Sequence, residues 1–461
     1  MAGLLAARLL NDHFDEVTLV ERDLLLLEDG ATRKGNAQGR HAHALLAKGQ
    51  EILADLFPGI LTDLEAAGAE RVDVGSDFHW HHHHTFRIRY RSGFCCSFQS
   101  RALLESMVRR RVLALSHIRL RQGCHARGLL AAPDGRGVAG VRLEASDGGV
   151  EELHADLVVD ASGRGSRVPA WLKEIGYEPP AESVVQVNVG YASRVYRRPS
   201  PSPHPWKALF VLGTPPEDKR FGVILPIEGD RWIVTLGGLL KDYPPDDDAG
   251  FLAFAQHLSC DAVYRAIRTA EPQSDIATYR FPAHLRRHYE RMARAPEGLI
   301  ALGDSLCSFN PIYGQGMTTG ALAAVTLDRC LRDRRRARGP AALEGLPAAF
   351  YRRMTKVIDV PWGMAVGEDL TFPEVVGKRG GVQPLLRWYV DELHALNGSD
   401  PAICDRFYRV QHMIAPPSTL FHPQVALAVL RRQLARLRGG GLVRIPPRPP
   451  SPTNIRTSRP L

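Results

Sequence analysis

Apolar positions along the 461-residue chain change period several times, and each change marks an element. Residues 3–12 (GLLAARLLND) read as a small-residue apolar helix, and 16–21 (EVTLVE) as a strand ending in Glu21. SFQSRALLESMVRRRV (97–112) predicts an amphipathic helix with Ser100 as its N-cap. DLVVD (156–160) and GLIAL (298–302) read as buried strands, and the second leads through a Gly-rich loop into the helix pattern TTGALAAVTL. Between 183 and 240 the period falls to two. SVVQVNVGYASRVY, KALFVLG, FGVILPI and RWIVTLGGL, separated by turns rich in Pro, Asp and Gly, predict an antiparallel sheet. PPDDDAGFLAFAQHL (244–258) opens a helix with acids in its first turn, where they favour its dipole. After a helix over 317–336, residues 343–436 read as helices broken by Pro361, Pro373 and Pro384, and no internal repeat occurs.

The segment GDSLCSFNPIYGQGM (303–317) carries the most chemistry. A strand that ends in Gly-Asp, crosses a loop and enters a helix sets backbone N–H groups and a carboxylate at a helix N-terminus. That arrangement can hold a phosphate and a polyhydroxyl chain together. Asp304 would accept from hydroxyls, Gly314 and Gly316 would admit a planar ligand close to the backbone, and Pro311 would stiffen the entry. DLVVDASGRGSRVP (156–169) is an apolar strand followed by Asp-x-x-Gly-x-x-Ser-x-x-Pro. The N-terminus looks like the back half of a Rossmann βαβ unit. Gly3 stands at the last glycine of GxGxxG, and Glu21 at the acid for the adenosine ribose. The first strand and two glycines, roughly ten residues, would then precede Met1. The chain as given is accordingly expected to hold its cofactor poorly or to fold badly.

These three segments resemble the flavin-binding motifs of the FAD-dependent monooxygenases of the para-hydroxybenzoate hydroxylase-like superfamily, the aromatic hydroxylases and epoxidases. The resemblance covers roughly residues 1–335. It implies an α/β fold, in which a Rossmann-type FAD-binding domain (first strand missing) interleaves with an antiparallel-sheet substrate domain, plus C-terminal helices. The FAD-binding domain would comprise residues 1–72, 99–180 and 295–340, with substrate-side strands in 73–98. Residues 181–294 would form the substrate domain, 341–438 a helical region and 439–461 a disordered basic tail.

The cofactor contacts that the resemblance implies are spread along the chain. Gly3, Glu21 and Arg22 come from the N-terminal unit, and Asp160 and Gly163 would lie beside the flavin and the nicotinamide path. The loop RKGNAQGRHAHALL (33–46) would lie against the flavin ring through Arg40 and His41, while Arg101 would reach the ribityl chain and diphosphate. Gly303, Asp304, Pro311, Gly314, Gln315, Gly316 and Met317 complete the set. Tyr191, Phe221 and Trp232 of the sheet, with Phe309 and Tyr313, are the candidate substrate-pocket residues.

The implied reaction uses NAD(P)H as transient donor to FAD, and O₂ as a flavin C4a-hydroperoxide that oxygenates an apolar or aromatic small molecule. No catalytic side chain is assigned, because the flavin carries the chemistry. A prenyl (geranylgeranyl-type) reductase on the same scaffold is one alternative, and a truncated, cofactor-poor remnant is another. A flavin halogenase would show Trp-x-Trp-x-Ile-Pro, where this chain has only Arg231-Trp232-Ile233.

Composition narrows the function classes. Hydrophobic content of 44% and charged content of 24% belong to a globular protein. No apolar run approaches the ~20 residues of a membrane span, and GLLAARLL, interrupted by Arg8, makes no signal peptide. The net charge of +9 resides almost wholly in residues 431–461, which hold eight arginines and no acid, so no nucleic-acid face is expected. Seven cysteines, none in a CxxC pair, predict neither disulfides nor a zinc site, and fit a reducing cytoplasm. HWHHHH (79–84) lies in a strand-like stretch, where alternate histidines face opposite sides. With no Cys or acid at ligand spacing, structural histidines and no metal are expected.

Overall fold

The computed structural model describes residues 1–24, 37–339, 343–378 and 383–438. The first part of the loop read at 33–46 and the basic tail after Gly439 lie outside the described residues. The first helix, Ala2–Leu10, buries Leu5, Ala6, Ala7, Leu9 and Leu10 and packs on the long helix Gly316–Arg338. Small side chains allow this close approach: a Cβ at Gly320 would come within 3.0 Å of Ala2 Cβ. A buried contact of 2.8 Å between His13 Nε2 and Asp328 Oδ1 pins the segment after the first helix to the same long helix.

The expected parallel strands are present as two separate pairs. Val17–Glu21 pairs with Ile118–Gln122, and Val158–Asp160 with Leu299–Ala301. Among the described residues neither pair has a further strand neighbour. Val17–Glu21 and Val158–Asp160 line one cavity of about 1510 Å³.

The largest sheet has eight strands in the order Cys307–Ser308, Ala277–His288, Ala181–Arg197, Arg231–Gly238, Arg220–Ile227, Ala208–Leu212, Phe78–His82, Thr85–Phe86. All neighbours are antiparallel except Ala208–Leu212 and Phe78–His82. The strands expected within 183–240 form its middle. The long strand Ala277–His288 was not anticipated, because its second half is basic. His284, Arg286, Arg287 and His288 are buried there, and carboxylates meet them: Asp369 at His284 (2.6 Å), Asp359 at Arg286 (2.7 Å), and Glu182 at Arg287 (3.0 Å).

Strand alternation decides which residues reach the site. In Arg231–Gly238, Ile233 joins one core cluster, while Trp232, Val234 and Leu236 join another with Phe251 and Phe254. Trp232, expected in the substrate pocket, therefore lies on the far face, fully buried and stacked at 5.6 Å on Trp206. At the sheet edge, alternation is broken by a turn. His83 (φ 49) and His84 (φ 61) are left-handed, so His83 leaves the strand geometry and its ring lies 4.3 Å from that of its neighbour His82.

Two expectations for the C-terminal region need correction. The helix Leu346–Asp369 runs through Pro361 without breaking. Burial of Leu346, Phe350, Tyr351, Met354 and Ile358 in the main core outweighs the roughly 3 kcal/mol that an interior proline costs. Pro384 sits inside the first turn of Gln383–Leu396 and does not break it either. Among the described residues no helix is long and apolar enough to cross a membrane. Trp232→Ala is expected to cost about 3–5 kcal/mol in urea unfolding, as a large-to-small core change, with no loss of ligand binding at the opposite face of the sheet.

Candidate active site

After Leu299–Ala301 the chain turns sharply at Gly303 (φ 64), where a Cβ would come within 2.8 Å of Ala2 Cβ. A second left-handed glycine, Gly314 (φ 65), redirects it into Gly316–Arg338. The N-termini of this helix and of Ala2–Leu10 thus meet on either side of Asp304, and each brings unsatisfied amide donors and the positive end of a dipole. The Asp304 carboxylate has no hydrogen-bond or ion-pair partner among the described residues. Burial pushes its pKa above the usual carboxylate range, opposed by the charges of Arg101 and Arg164. Arg164 Nη1 is buried without a hydrogen-bond partner among the described residues. Native structures rarely leave a buried donor unpaired, and the phosphate or hydroxyl groups of a ligand would satisfy it.

Two cavities join at this point. The outer one, about 1510 Å³, is lined by Gly3, Glu21, Arg22, Asp160, Gly163 and Arg164, and the inner one, about 310 Å³, lies over the large sheet. Both are lined by Met1, Gln38, Ala161, Gly163, Tyr279 and Asp304. The inner walls include His41, Arg101, Gly303, Phe309, Pro311, Tyr313, Gly314, Gly316 and Met317. Tyr191 and Phe221 line it too, with Trp80, Phe98, Phe210 and Thr235, which the sequence did not single out. Arg101 contacts Met317 Sδ and lies 3.4 Å from Glu105.

Three expected contacts differ. Arg40 is exposed and lines neither cavity; Gln38, two residues earlier in the short helix Ala37–Arg40, takes that position and donates to Tyr279 Oη (3.1 Å). Gln315 is buried behind the loop, outside both linings. Asp160 lines the outer cavity, but its carboxylate is used in its own turn. It accepts from Ser162 N (3.0 Å), Ser162 Oγ (2.5 Å) and Ser166 Oγ (2.6 Å).

The polar groups of the inner cavity are held by two chains of hydrogen bonds. Ala42 N–H donates to Thr235 Oγ1 (2.9 Å), which lies 2.6 Å from Ser193 Oγ, itself 2.7 Å from His41 Nδ1. With each hydroxyl donating towards the ring, every hydroxyl proton has an acceptor. His41 then carries its proton on Nε2, which has no hydrogen-bond partner among the described residues. In the second chain, Asn310 N–H donates to His284 Nδ1 (3.2 Å), so His284 Nε2–H donates to Asp369 (2.6 Å). Asp369 also accepts from Asn310 Nδ2 (3.1 Å) and Tyr313 Oη (2.6 Å), while Tyr191 Oη donates to Asn310 Oδ1 (2.7 Å). Burial and the Asp369 charge push the Tyr191 and Tyr313 phenols well up, so both stay protonated donors. Sequence spacing gives no hint of Asp369 or His284, since they are distant from each motif.

Burial, then the Arg40 charge, pulls the His41 pKa down to about 4. The unfolded chain therefore binds the proton first, and this imidazole's contribution, complete above pH 6.5, is lost as pH falls towards 4. Relative to His41→Asn, the wild type is expected to lose about 2 kcal/mol of unfolding free energy between pH 8 and pH 5. Parallel urea titrations of the two proteins measure this difference.

No protein-family model matches the chain. It is 33% identical over 434 residues to Protein Rv3254 of Mycobacterium tuberculosis, covering 89% of this chain and 87% of that one. Among solved structures, it superposes on a flavoprotein/dehydrogenase from Cytophaga hutchinsonii with TM-score 0.64, 14% identity and coverage of 95% and 96%. The flavin-dependent brominase Bmp2 gives TM-score 0.62 at 15% identity, with coverage of 95% and 97%. A probable FAD-dependent monooxygenase from Pseudomonas aeruginosa gives 0.55 at 17%, with coverage of 81% and 95%. The chain belongs to the family of Protein Rv3254, on the fold of the para-hydroxybenzoate hydroxylase-like FAD flavoproteins.

Proposed function

We propose that this protein is a FAD-dependent oxidoreductase, an NAD(P)H- and O₂-dependent monooxygenase of an apolar or aromatic small molecule. The observation that carries the proposal is the junction at Asp304. There a larger cavity lined by Glu21, Arg22 and Arg164 meets a smaller aromatic one, between two helix N-termini. FAD, when bound, supplies the redox and oxygen-activating chemistry.

The chain's own residues bind, orient and exclude water. Glu21, in the outer cavity, would accept from ribose hydroxyls. The amides at the starts of Ala2–Leu10 and Gly316–Arg338 would face the diphosphate, and Asp304 would accept from the ribityl chain. Gly314 and Gly316 leave the backbone open beside the inner cavity. Phe78, Trp80, Phe98, Phe210 and Phe221 give the substrate space a dry aromatic wall. His41 Nε2–H offers a donor to a phenol or carbonyl oxygen of the substrate, fixed in direction by Ser193 and Thr235.

Asp304→Ala is expected to weaken FAD binding at least tenfold, read by quenching of flavin fluorescence during titration. Unchanged FAD affinity in that variant would count against the assignment. With FAD bound, NADH or NADPH oxidation should rise with an aromatic substrate analogue and yield an oxygenated product; a hydrogenated product would point to the reductase chemistry.

A further inference from the structure

A second cluster of chemistry-bearing side chains lies apart from the flavin cavities, where the sheet edge meets the C-terminal helices. His82 ends the strand Phe78–His82, His83 occupies the following left-handed turn, and His394 comes from the helix Gln383–Leu396. One nitrogen from each ring lies within 4.8 Å of the other two. The rings of His83 and His394 stack at 4.2 Å, 11° from parallel, and those of His82 and His394 lie 4.6 Å apart, so one stacked ring must turn about its side-chain bonds to share an ion with the other. His82 is 4% and His394 6% exposed. The Nε2 of His83 is buried with no hydrogen-bond partner among the described residues, and the buried nitrogens of His82 make no well-aligned hydrogen bond there, although the Gly213 backbone lies beside that ring. Packing alone does not explain three imidazoles brought together with buried nitrogens of His82 and His83 lacking well-formed hydrogen bonds, since such groups cost desolvation.

We propose that His82, His83 and His394 bind a divalent transition-metal ion of the zinc class. Three imidazole nitrogens around a point are a common donor set for zinc, with metal–nitrogen distances of about 2.0–2.1 Å. The surrounding carboxylates are placed to support it. Asp391 lies 3.8 Å from His83 Nδ1, the position of an outer carboxylate that orients a ligand ring and leaves Nε2 for the metal. Glu368 lies 3.7 Å from His82 Nε2 and offers a fourth donor. Together they offset the positive charge of Arg87, whose guanidinium is held 3.8 Å over the Trp80 ring. Burial holds the three rings in their neutral, lone-pair-bearing form. His83 and Asp391 are the more open members and give the ion its route in. The strand alternation that argued against convergence fails here because His83 and His84 both adopt positive φ.

The proposal is independent of the flavin reading, and cobalt(II) tests it directly. Chelator-treated full-length protein titrated with cobalt chloride should develop visible d–d absorption at one ion per chain, and zinc should abolish it by competition. His83→Ala, which changes a turn residue, and His394→Ala should each weaken the ion at least tenfold, while far-ultraviolet circular dichroism shows that the fold is kept. If His394→Ala loses its fold, His83→Ala alone decides. Absence of the bands in the wild type at millimolar cobalt, or equal affinity in folded His83→Ala, overturns the proposal.

Discussion

The site depends on one constraint: a half-buried carboxylate, Asp304, placed without a hydrogen-bond or ion-pair partner among the described residues where two helices begin. Gly303 and Gly314 make this possible, because both turns need a left-handed backbone, and Ala2 leaves no room for a side chain at Gly303. An acid in such a position carries a desolvation penalty that burial makes visible as a raised pKa. On the proposed reading, hydrogen bonds from a bound polyhydroxyl ligand would offset that penalty, and the same ligand's phosphates would meet the two helix dipoles.

The rest of the architecture follows from where the large sheet puts its two faces. One face sends Trp232, Val234 and Leu236 into a packed layer with the helix Asp248–Gln256. The other turns Thr235, Tyr191 and Phe221 towards the inner cavity. Asp369, at the end of the helix Leu346–Asp369, ties the loop residues Asn310 and Tyr313 to His284 of the sheet. That buried network fixes the loop bordering the ligand space to a rigid element. The neighbouring residue Glu368 faces His82 instead, so the same helix end reaches both the inner cavity and the histidine cluster.

Much of this was legible in the sequence where short-range spacing carried the information. Asp304, Gly314, Gly316 and Met317 sit in one contiguous segment, and the structure places all four in the lining of the inner cavity. The N-terminal helix and strand, the Ser100 cap and the antiparallel strands were readable from period and turn chemistry. The failures have physical causes. Trp232 was assigned by residue type, but strand parity sends it to the other face. Arg40 and Gln315 were carried over by motif, and local backbone direction turns them out of the cavity. The strand Ala277–His288 was hidden because its buried Arg286 and Arg287 are neutralised, and its buried His284 is hydrogen-bonded, by acids distant in sequence. His394 and Glu368 joined the histidine run only through tertiary packing, which spacing within the run does not encode.

The central claim is that the outer and inner cavities, joined at Asp304, form one FAD site. A crystal structure of the protein grown with saturating FAD tests it most directly. The account predicts adenosine density beside Glu21, diphosphate at the starts of Ala2–Leu10 and Gly316–Arg338, and the ring system beside Gly314–Met317. Both cavities free of flavin density under saturation, or flavin seated elsewhere on the chain, would contradict it.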